Sequence, residues 1–333
     1  MRSVAEAGVA GKKVIVRCDF DVSVEAGIIT EDIRIRKSSE TLKFLLGKGA
    51  RLFLISHLGR PENKDPQLSL EIVLPLLTQL LGREVDFQEG LNNQMSGEVV
   101  LLENLRYWPE EEADDENFAQ KLANFGEVYV NECFSVAHRA HASVDRLPRL
   151  LPSYAGLELF REVSELERIF KNPEHPLLAI IGGAKIETKL PAINNVAKVA
   201  DSVLVAGKLM FEIDKRGLPA NVVVASDDID KKDIGPESLR FFREKIGQAK
   251  MIVWNGPVGL FEEEKYQVGT RELAKSIAAS SAYSIVGGGD TLAELDKEGL
   301  LDKIDFVSVG GGAMLEFLSG KELPALKALD YYG

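Results

Sequence analysis

KKVIVRCDF (12–20) and LLAIIGG (177–183) decide the fold. Each is a short, nearly continuous apolar run rich in β-branched residues, the pattern of a strand buried on both faces. Each runs straight into groups that carry chemistry: Arg17-Cys18-Asp19-Phe20-Asp21 after the first, Gly182-Gly183-Ala184-Lys185 after the second. Working outward, ARLFLISH (50–57), REVDFQ (83–88), EVVLLEN (98–104) and EVYVNECF (127–134) repeat the first pattern. SVLVAG (202–207), NVVVAS (221–226), KMIVWNG (250–256), AYSIVGGG (282–289) and IDFVSVGGG (304–312) repeat the second. Helix-like stretches lie between them, such as Ile33–Gly47 and Ser69–Leu81. In the latter, Leu70, Val73, Leu74, Leu77 and Leu81 follow helical spacing, and Pro75 is expected to bend the first turns.

Strands alternating with helices imply parallel sheets covered on both faces. The expected fold is α/β: two doubly wound, Rossmann-like parallel-sheet domains joined by a helical hinge. The polar helix-forming segment Leu157–Lys171, stopped by the prolines of NPEHP, supplies that hinge. The reading divides the chain into a first domain over 1–152, an interdomain helix over 153–173 and a second domain over 174–318. A tail over 319–333 is expected to pack back on the hinge or the first domain.

Composition narrows the class. With 45% apolar and 28% charged residues, the 333-residue chain can bury two cores and is not disordered as a whole. No apolar run approaches the roughly 18 residues a membrane span needs. The amino terminus lacks the apolar core of a signal peptide, so a cytoplasmic protein is expected. Cys18 and Cys133 sit in strand-like runs and read as free buried thiols. Net charge is −12, and it divides evenly: residues 1–152 hold 18 basic against 24 acidic residues, and 153–333 hold 22 against 28. Neither half has the basic excess of a nucleic-acid binder, and neither nucleic acid nor a membrane is an expected partner. The run EEEADDE (110–116) reads as a solvated loop or helix start.

In open parallel sheets, ligands bind outside the carboxyl ends of the strands. In the first half those ends carry Asp19, Asp21, His57, Arg60, Arg106, His138, Arg139 and His141, with Arg34 and Arg36 entering the next helix. Guanidinium forks suit phosphate and carboxylate oxygens, so a small doubly anionic ligand is the natural guest. In the second half the ends carry glycines: Gly182-Gly183, Gly256, Gly259, Gly287 to Gly289 and Gly310 to Gly312, with Lys185, Lys189 and Asp290 among them. Glycine lets backbone amides approach phosphate oxygens, and each following helix adds its positive end. The set reads as a polyphosphate site for a nucleotide with Mg²⁺. Neither GxxxxGK[ST] nor GxGxxG occurs, so the common P-loop and dinucleotide fingerprints are absent from the sequence. A cationic rim and a glycine-rich rim together suit phosphoryl transfer, which needs alignment and neutralised charge more than covalent participation.

VIVRCDFDV, DIRIR, SHLGRP, LLENLR, AHRAHAS, IIGGAK, DIGP, IVWNGPVGLFE, SIVGGGDT and VGGGAMLEF, in this order and across essentially the whole chain, closely resemble phosphoglycerate kinase. The resemblance implies reversible, Mg²⁺-dependent phosphoryl transfer between 1,3-bisphosphoglycerate and ADP, giving 3-phosphoglycerate and ATP. It makes the first domain the phosphoglycerate domain, the second the nucleotide domain, and the protein a monomer. It places Asp19, Phe20, Asp21, Arg34, His57, Leu58, Gly59, Arg60, Arg106 and Arg139 at phosphoglycerate, with Arg34 and Lys185 as the catalytic cations. It places Gly183, Lys189, Gly207, Asn255, Pro257, Glu262, Gly288, Gly289, Asp290 and Thr291 at the nucleotide. Glu262 lies at the ribose and Asp290 on the Mg²⁺ side.

Several positions depart from the family pattern. Asp21 stands where the family has Asn, adding negative charge beside an anionic substrate. At ~4 Å and an effective dielectric of ~20 that repulsion is roughly 4 kcal/mol before the arginines offset it. Thr188 replaces an acidic residue, Ala206-Gly207-Lys208 a glycine-rich turn, and Val309 a Ser or Thr; Phe134-Ser135-Val136 before AHR also differs. The stretch Phe211 to Asp233 is short, lacking a helix and part of the wall around the base. The alternatives to an active kinase are a non-catalytic or regulatory descendant that binds a phosphorylated metabolite, and a kinase of the same fold using a different nucleotide.

A two-domain hinge has a direct consequence, because transfer requires the reacting atoms near contact. Solution scattering is expected to give a smaller radius of gyration with 3-phosphoglycerate and Mg·ATP together than with either alone. Identical profiles in all saturated states would contradict the hinge.

Overall fold

Alternate residues along each strand point to opposite faces of a sheet, so a strand covered on both sides must be apolar at successive positions. Lys13–Arg17 shows this directly. Val14 and Val16 belong to one buried cluster with Leu42, Leu52, Leu54, Leu77 and Leu101. Ile15 belongs to another with Phe53, Ile55, Val100, Phe118 and Leu122. The computed structural model describes residues 1–91 and 95–333. By contacts the chain forms two compact units, Met1–Glu162 with Glu322–Gly333, and Val163–Lys321.

The first unit holds a six-stranded sheet of Lys13–Arg17 (β1), Arg51–Ile55 (β2), Asp86–Gln88 (β3), Val99–Leu102 (β4), Val128–Asn131 (β5) and Ser153–Ala155 (β6). Its order is β3-β4-β2-β1-β5-β6, and every pairing is parallel. The chain steps outward from β1 through β2, then returns to its other side with β5. That reversal makes the carboxyl ends of β1 and β5 the expected ligand crevice. Arg17 pairs with both Ile55 and Asn131, so the residues just beyond share one rim.

The second unit repeats the plan with Leu177–Ile181 (β7), Ser202–Val205 (β8), Val222–Val224 (β9), Met251–Asn255 (β10), Tyr283–Gly287 (β11) and Phe306–Ser308 (β12). The order is β9-β8-β7-β10-β11-β12, again wholly parallel. Register aligns Val205, Ile181, Asn255, Gly287 and Ser308 in a single cross-strand row. The glycine turns all leave the sheet from that row. The direction of winding reverses between β7 and β10, which places the crevice at Gly182 and Gly256.

The helix expected over Ile33–Gly47 forms with those bounds. Over Ser69–Leu81 a 3₁₀ turn, Leu70–Val73, precedes an α-helix, Leu74–Leu81, that carries Pro75 in its first turn. Proline lacks an N–H and is tolerated there because the first N–H groups of a helix have no partner. Leu157–Lys171 is a helix, and the boundary between the units falls within it. The strand Ser153–Ala155 was not expected: three residues of mixed polarity between Pro152 and Gly156 carry no period. The acidic run lies at two helix starts, in the first turn of Pro109–Glu112 and at the first residue of Glu116–Ala123, and one correction applies within it: Glu111 is buried rather than solvated. Cys18 and Cys133 are buried free thiols. The segment Pro324–Ala328 belongs to the first unit, where the Ala325 N–H donates to the Ala137 carbonyl at 3.1 Å. Among the described residues no helix is long and apolar enough to cross a membrane.

The tightness of the second rim is testable. A Cβ on Gly182 would meet the Pro257 carbonyl oxygen at 2.2 Å, whereas one on Gly247, in the helix Pro236–Gln248, meets nothing within 4 Å. Gly182→Ala is expected to destabilise the fold by ~1–3 kcal/mol, and Gly247→Ala to be neutral or stabilising by up to ~1 kcal/mol. Denaturant melts of the two variants check this.

Candidate functional site

The rim of the first unit is built on a buried arginine. Arg17, 1% exposed, is the last residue of β1, and its guanidinium donates to Ser143 Oγ at 3.1 Å and the Cys18 carbonyl at 2.6 Å. Its Nη2 lies 3.0 Å from His57 Nδ1. A guanidinium only donates, so Nδ1 accepts and the ring proton sits on Nε2. Nε2 faces Asp21 Oδ2 at 3.5 Å. Burial, with the nearby Arg17 and Arg106, brings His57 down to about 4 against the pull of Asp21, so the ring is neutral at pH 7. Behind Arg17, Ser143 donates from its N–H at 3.0 Å and its hydroxyl at 2.6 Å to the buried Glu111.

Asp21 and Asp19 flank Arg34. Burial alone would raise the Asp21 carboxyl. The hydrogen bond and charge of His57, the Gly59 N–H at 2.8 Å and Arg34 instead hold it well below the usual range. The extra carboxylate is therefore ionised and already answered by protein groups. Arg34 Nη1 donates to the Asp21 carbonyl at 2.7 Å and lies 3.8 Å from both Asp19 Oδ1 and Asp21 Oδ2. Both carboxylate oxygens of Asp19 are buried without a hydrogen-bond partner. A buried acceptor in that condition is costly unless a ligand donor completes it.

Arg106 donates to the Gly59 carbonyl at 2.6 Å and pairs with Glu112 at 3.0 Å. Asp19, Asp21, Arg34, His57, Gly59 and Arg106 are thus linked in one cluster. Arg60 and Arg139 are exposed. The side chains of Phe20 and Leu58 are fully buried in the core, so only their backbone can meet a ligand. Arg17 was read only as part of its strand-end run, and Ser143 and Glu111 were not singled out from sequence.

In the second unit the turns Gly183–Lys185, Asn255–Pro257, Gly288–Asp290 and Gly311–Gly312, with Lys189 and Leu315, line a cavity of about 310 Å³. Three helices begin at it, Ile186–Val196, Gly289–Lys297 and the short Gly312–Leu318, and bring the partial positive charge of their first turns. Lys185 precedes the first of these with φ +66°, a left-handed conformation that a side chain rarely adopts. The Thr188 hydroxyl donates to the Lys185 carbonyl at 2.9 Å, so this departure from the family pattern closes the first helical turn.

Lys189 is only 7% exposed. Its Nζ donates to Asn255 Oδ1 at 2.6 Å and makes no ion pair with a carboxylate among the described residues. Burial brings it down to about 8, with Asp290 opposing. Burial and then Glu262 raise the Asp290 carboxyl, while Lys189 lowers it. A divalent cation prefers hard oxygen ligands and takes one or two carboxylates plus phosphates, so Asp290 at the cavity wall fits Mg²⁺.

Gly207, Glu262 and Thr291 do not line the cavity. A Cβ on Gly207 would lie 2.7 Å from the Gly183 nitrogen, so this glycine is a packing point beneath the turn. Thr291 is buried, and its hydroxyl accepts the Gly256 N–H at 3.1 Å, bracing the turn from below. Gly256, Gly311 and Gly312, read from the strand ends as part of the polyphosphate set, line the cavity with Ala184 of the same kind of turn, and Leu315 lines it without having been read from sequence. The glycine triplet at 310–312 was the signal for two of these glycines.

Comparison with known proteins points to one family. The sequence model of the family described as phosphoglycerate kinase matches residues 4–218 and 212–321. A phosphoglycerate kinase of Dictyoglomus turgidum is 40% identical over 379 positions, covering 96% of each chain. One of Aquifex aeolicus is 39% identical, covering 99% of this chain and 98% of its own. Among solved structures, phosphoglycerate kinase from Coxiella burnetii superposes with a TM-score of 0.85 at 32% identity, and that from Pyrococcus horikoshii with 0.86 at 29%. Each covers 99% of this chain and 98% of its own. With 96% of 333 residues, or about 320, spread over 379 positions, about 60 positions of the Dictyoglomus protein have no counterpart here. The two matched pieces meet at 212–218, inside the short stretch after β8. The chain belongs to the phosphoglycerate kinase family, phosphotransferases with a carboxyl group as acceptor.

Proposed function

We propose that the chain is an active phosphoglycerate kinase, transferring the acyl phosphate of 1,3-bisphosphoglycerate to ADP, reversibly and with Mg²⁺. The observation that carries this reading is Lys189: a buried cation in a cradle of glycine amides, with no carboxylate among the described residues paired to it. A polyphosphate supplies that charge. On the first unit, Arg34, Arg60, Arg106 and Arg139 bind the two anionic ends of the phosphoglycerate, while Asp19 accepts and neutral His57 lies beside it. Asp21, already countered, holds Arg34 and His57 in place. Arg34 and Lys185 are the catalytic cations for the phosphoryl group in flight. Lys189, Gly288 and Gly289 hold the nucleotide phosphates, with Asn255, Pro257 and Glu262 alongside. Mg²⁺, held by Asp290 and the phosphates, would neutralise charge on the transferring group.

Two buried free thiols support the reducing cytoplasm as its compartment. A monomer is the proposed assembly.

Steady-state assays with 1,3-bisphosphoglycerate and ADP test the reading. Turnover is expected, and a chain that binds 3-phosphoglycerate yet turns over no acceptor is the non-catalytic alternative. Arg34→Ala is expected to keep the fold and lose on the order of 10²–10³ in kcat. Arg34→Lys should recover only part, since a point charge replaces a fork. Wild-type turnover in Arg34→Ala would remove Arg34 from the mechanism.

A further inference from the structure

The cavity of the second unit is made for phosphates and for little else. Its walls are glycine backbone, Lys185, Lys189, Asn255 and Asp290; among the described residues the only other side chains lining it are those of Ala184, Pro257 and Leu315. No aromatic ring among the described residues lines it, and at about 310 Å³ it lies at the small end of the roughly 300–1,000 Å³ typical of ligand pockets. The lining offers a base no ring to stack on, and the connection from β8 to β9, where the two matched pieces of the family model meet at 212–218, is the remaining stretch to weigh as a wall.

That connection is short and turned elsewhere. The chain makes one helical turn, Leu209–Glu212, before reaching β9 at Val222. Leu209 and Met210 are buried, Met210 in the cluster that contains Trp254 and Phe242. Phe211 is 43% exposed, and Lys208 is spent on Glu212 at 3.2 Å. None of these residues lines the cavity. The apolar groups at the start of this connection are thus committed to the core or directed to solvent.

We infer that the acceptor is recognised through its magnesium-bound diphosphate alone, so that nucleoside diphosphates serve irrespective of base, pyrimidines as well as purines. This deepens the kinase reading above and rests on it. The step is the same for every member of the class. The bond between the carboxyl oxygen and phosphorus breaks, and a terminal β-phosphate oxygen forms the new P–O bond. The carboxylate leaves with the electron pair, and the product is the corresponding triphosphate. A base-binding wall contact ordinarily discriminates by about ten- to two-hundredfold, and here that contribution is lost.

The test compares kcat/KM for ADP, GDP, CDP and UDP with Mg²⁺, and calorimetric binding of Mg·ADP and Mg·UDP to the full chain. All four values are expected within tenfold of one another; an ADP value more than tenfold above CDP or UDP overturns the inference. If no acceptor is turned over, the kinase reading fails and binding decides separately. Kd values for ADP and UDP within tenfold sustain diphosphate-only recognition, and ADP binding more than tenfold tighter overturns it. Phe211→Ala is expected to leave the ADP-to-UDP ratio within twofold of wild type. A larger loss confined to ADP shows Phe211 covering the base and also overturns it.

Discussion

A charge taken out of water must be answered, and in the second unit the protein leaves the charge of Lys189 to something else. An ammonium that is nine-tenths buried and bonded to an amide oxygen is held at a cost that desolvation alone would never select. The rest of that rim is arranged to bring an anion to it. Register puts the last residues of five strands in one row, glycines follow each, and three helices start there. Because Lys189 titrates near 8 rather than at 10.5, the unfolded chain binds the proton more strongly between those values. The lysine thus contributes stability that rises with pH across that window. A bound diphosphate reverses the sign, raising the lysine and favouring its charged form.

The first unit solves the opposite problem. Its buried cation, Arg17, is fully engaged by Ser143, Cys18 and His57, with Glu111 behind, so it needs no ligand. Its work is to fix the tautomer and tilt of His57. That in turn fixes Asp21 and, through the Asp21 carbonyl, Arg34. The acceptor left open is Asp19, both of whose carboxylate oxygens are buried without a hydrogen-bond partner. One unit therefore offers a set of preorganised cations with a single acceptor among them. The other offers amides and a buried lysine that no carboxylate among the described residues ion-pairs. Preorganised charge of this kind is the main contribution a protein makes to phosphoryl transfer.

Much of this was legible in the residues. Continuous apolar runs marked eleven of the twelve strands of the two sheets, and the groups placed after them made the two rims. Ser153–Ala155 was illegible because a three-residue edge strand has no period to read. Glu111 was misread because an acidic run resembles a solvated face, and only the fold brings Ser143 and Arg17 to it. Thr291 and Gly207 lie one layer below the cavity: a motif names the residues of a turn without saying which face the ligand and which brace it. The short stretch 211–233 was visible as a deletion, but where Leu209, Met210 and Phe211 point depends on the packing of the core.

The central claim is that the charge of Lys189 is completed by the nucleotide's phosphates. Calorimetric titration of Mg·ADP at pH 8, repeated in buffers of different ionisation enthalpy, measures the protons exchanged on binding. With Lys189 near 8, about half a proton should be taken up per site, and the uptake should vanish in Lys189→Met. Binding without proton uptake in the native chain, or uptake that persists in the variant, would contradict the account.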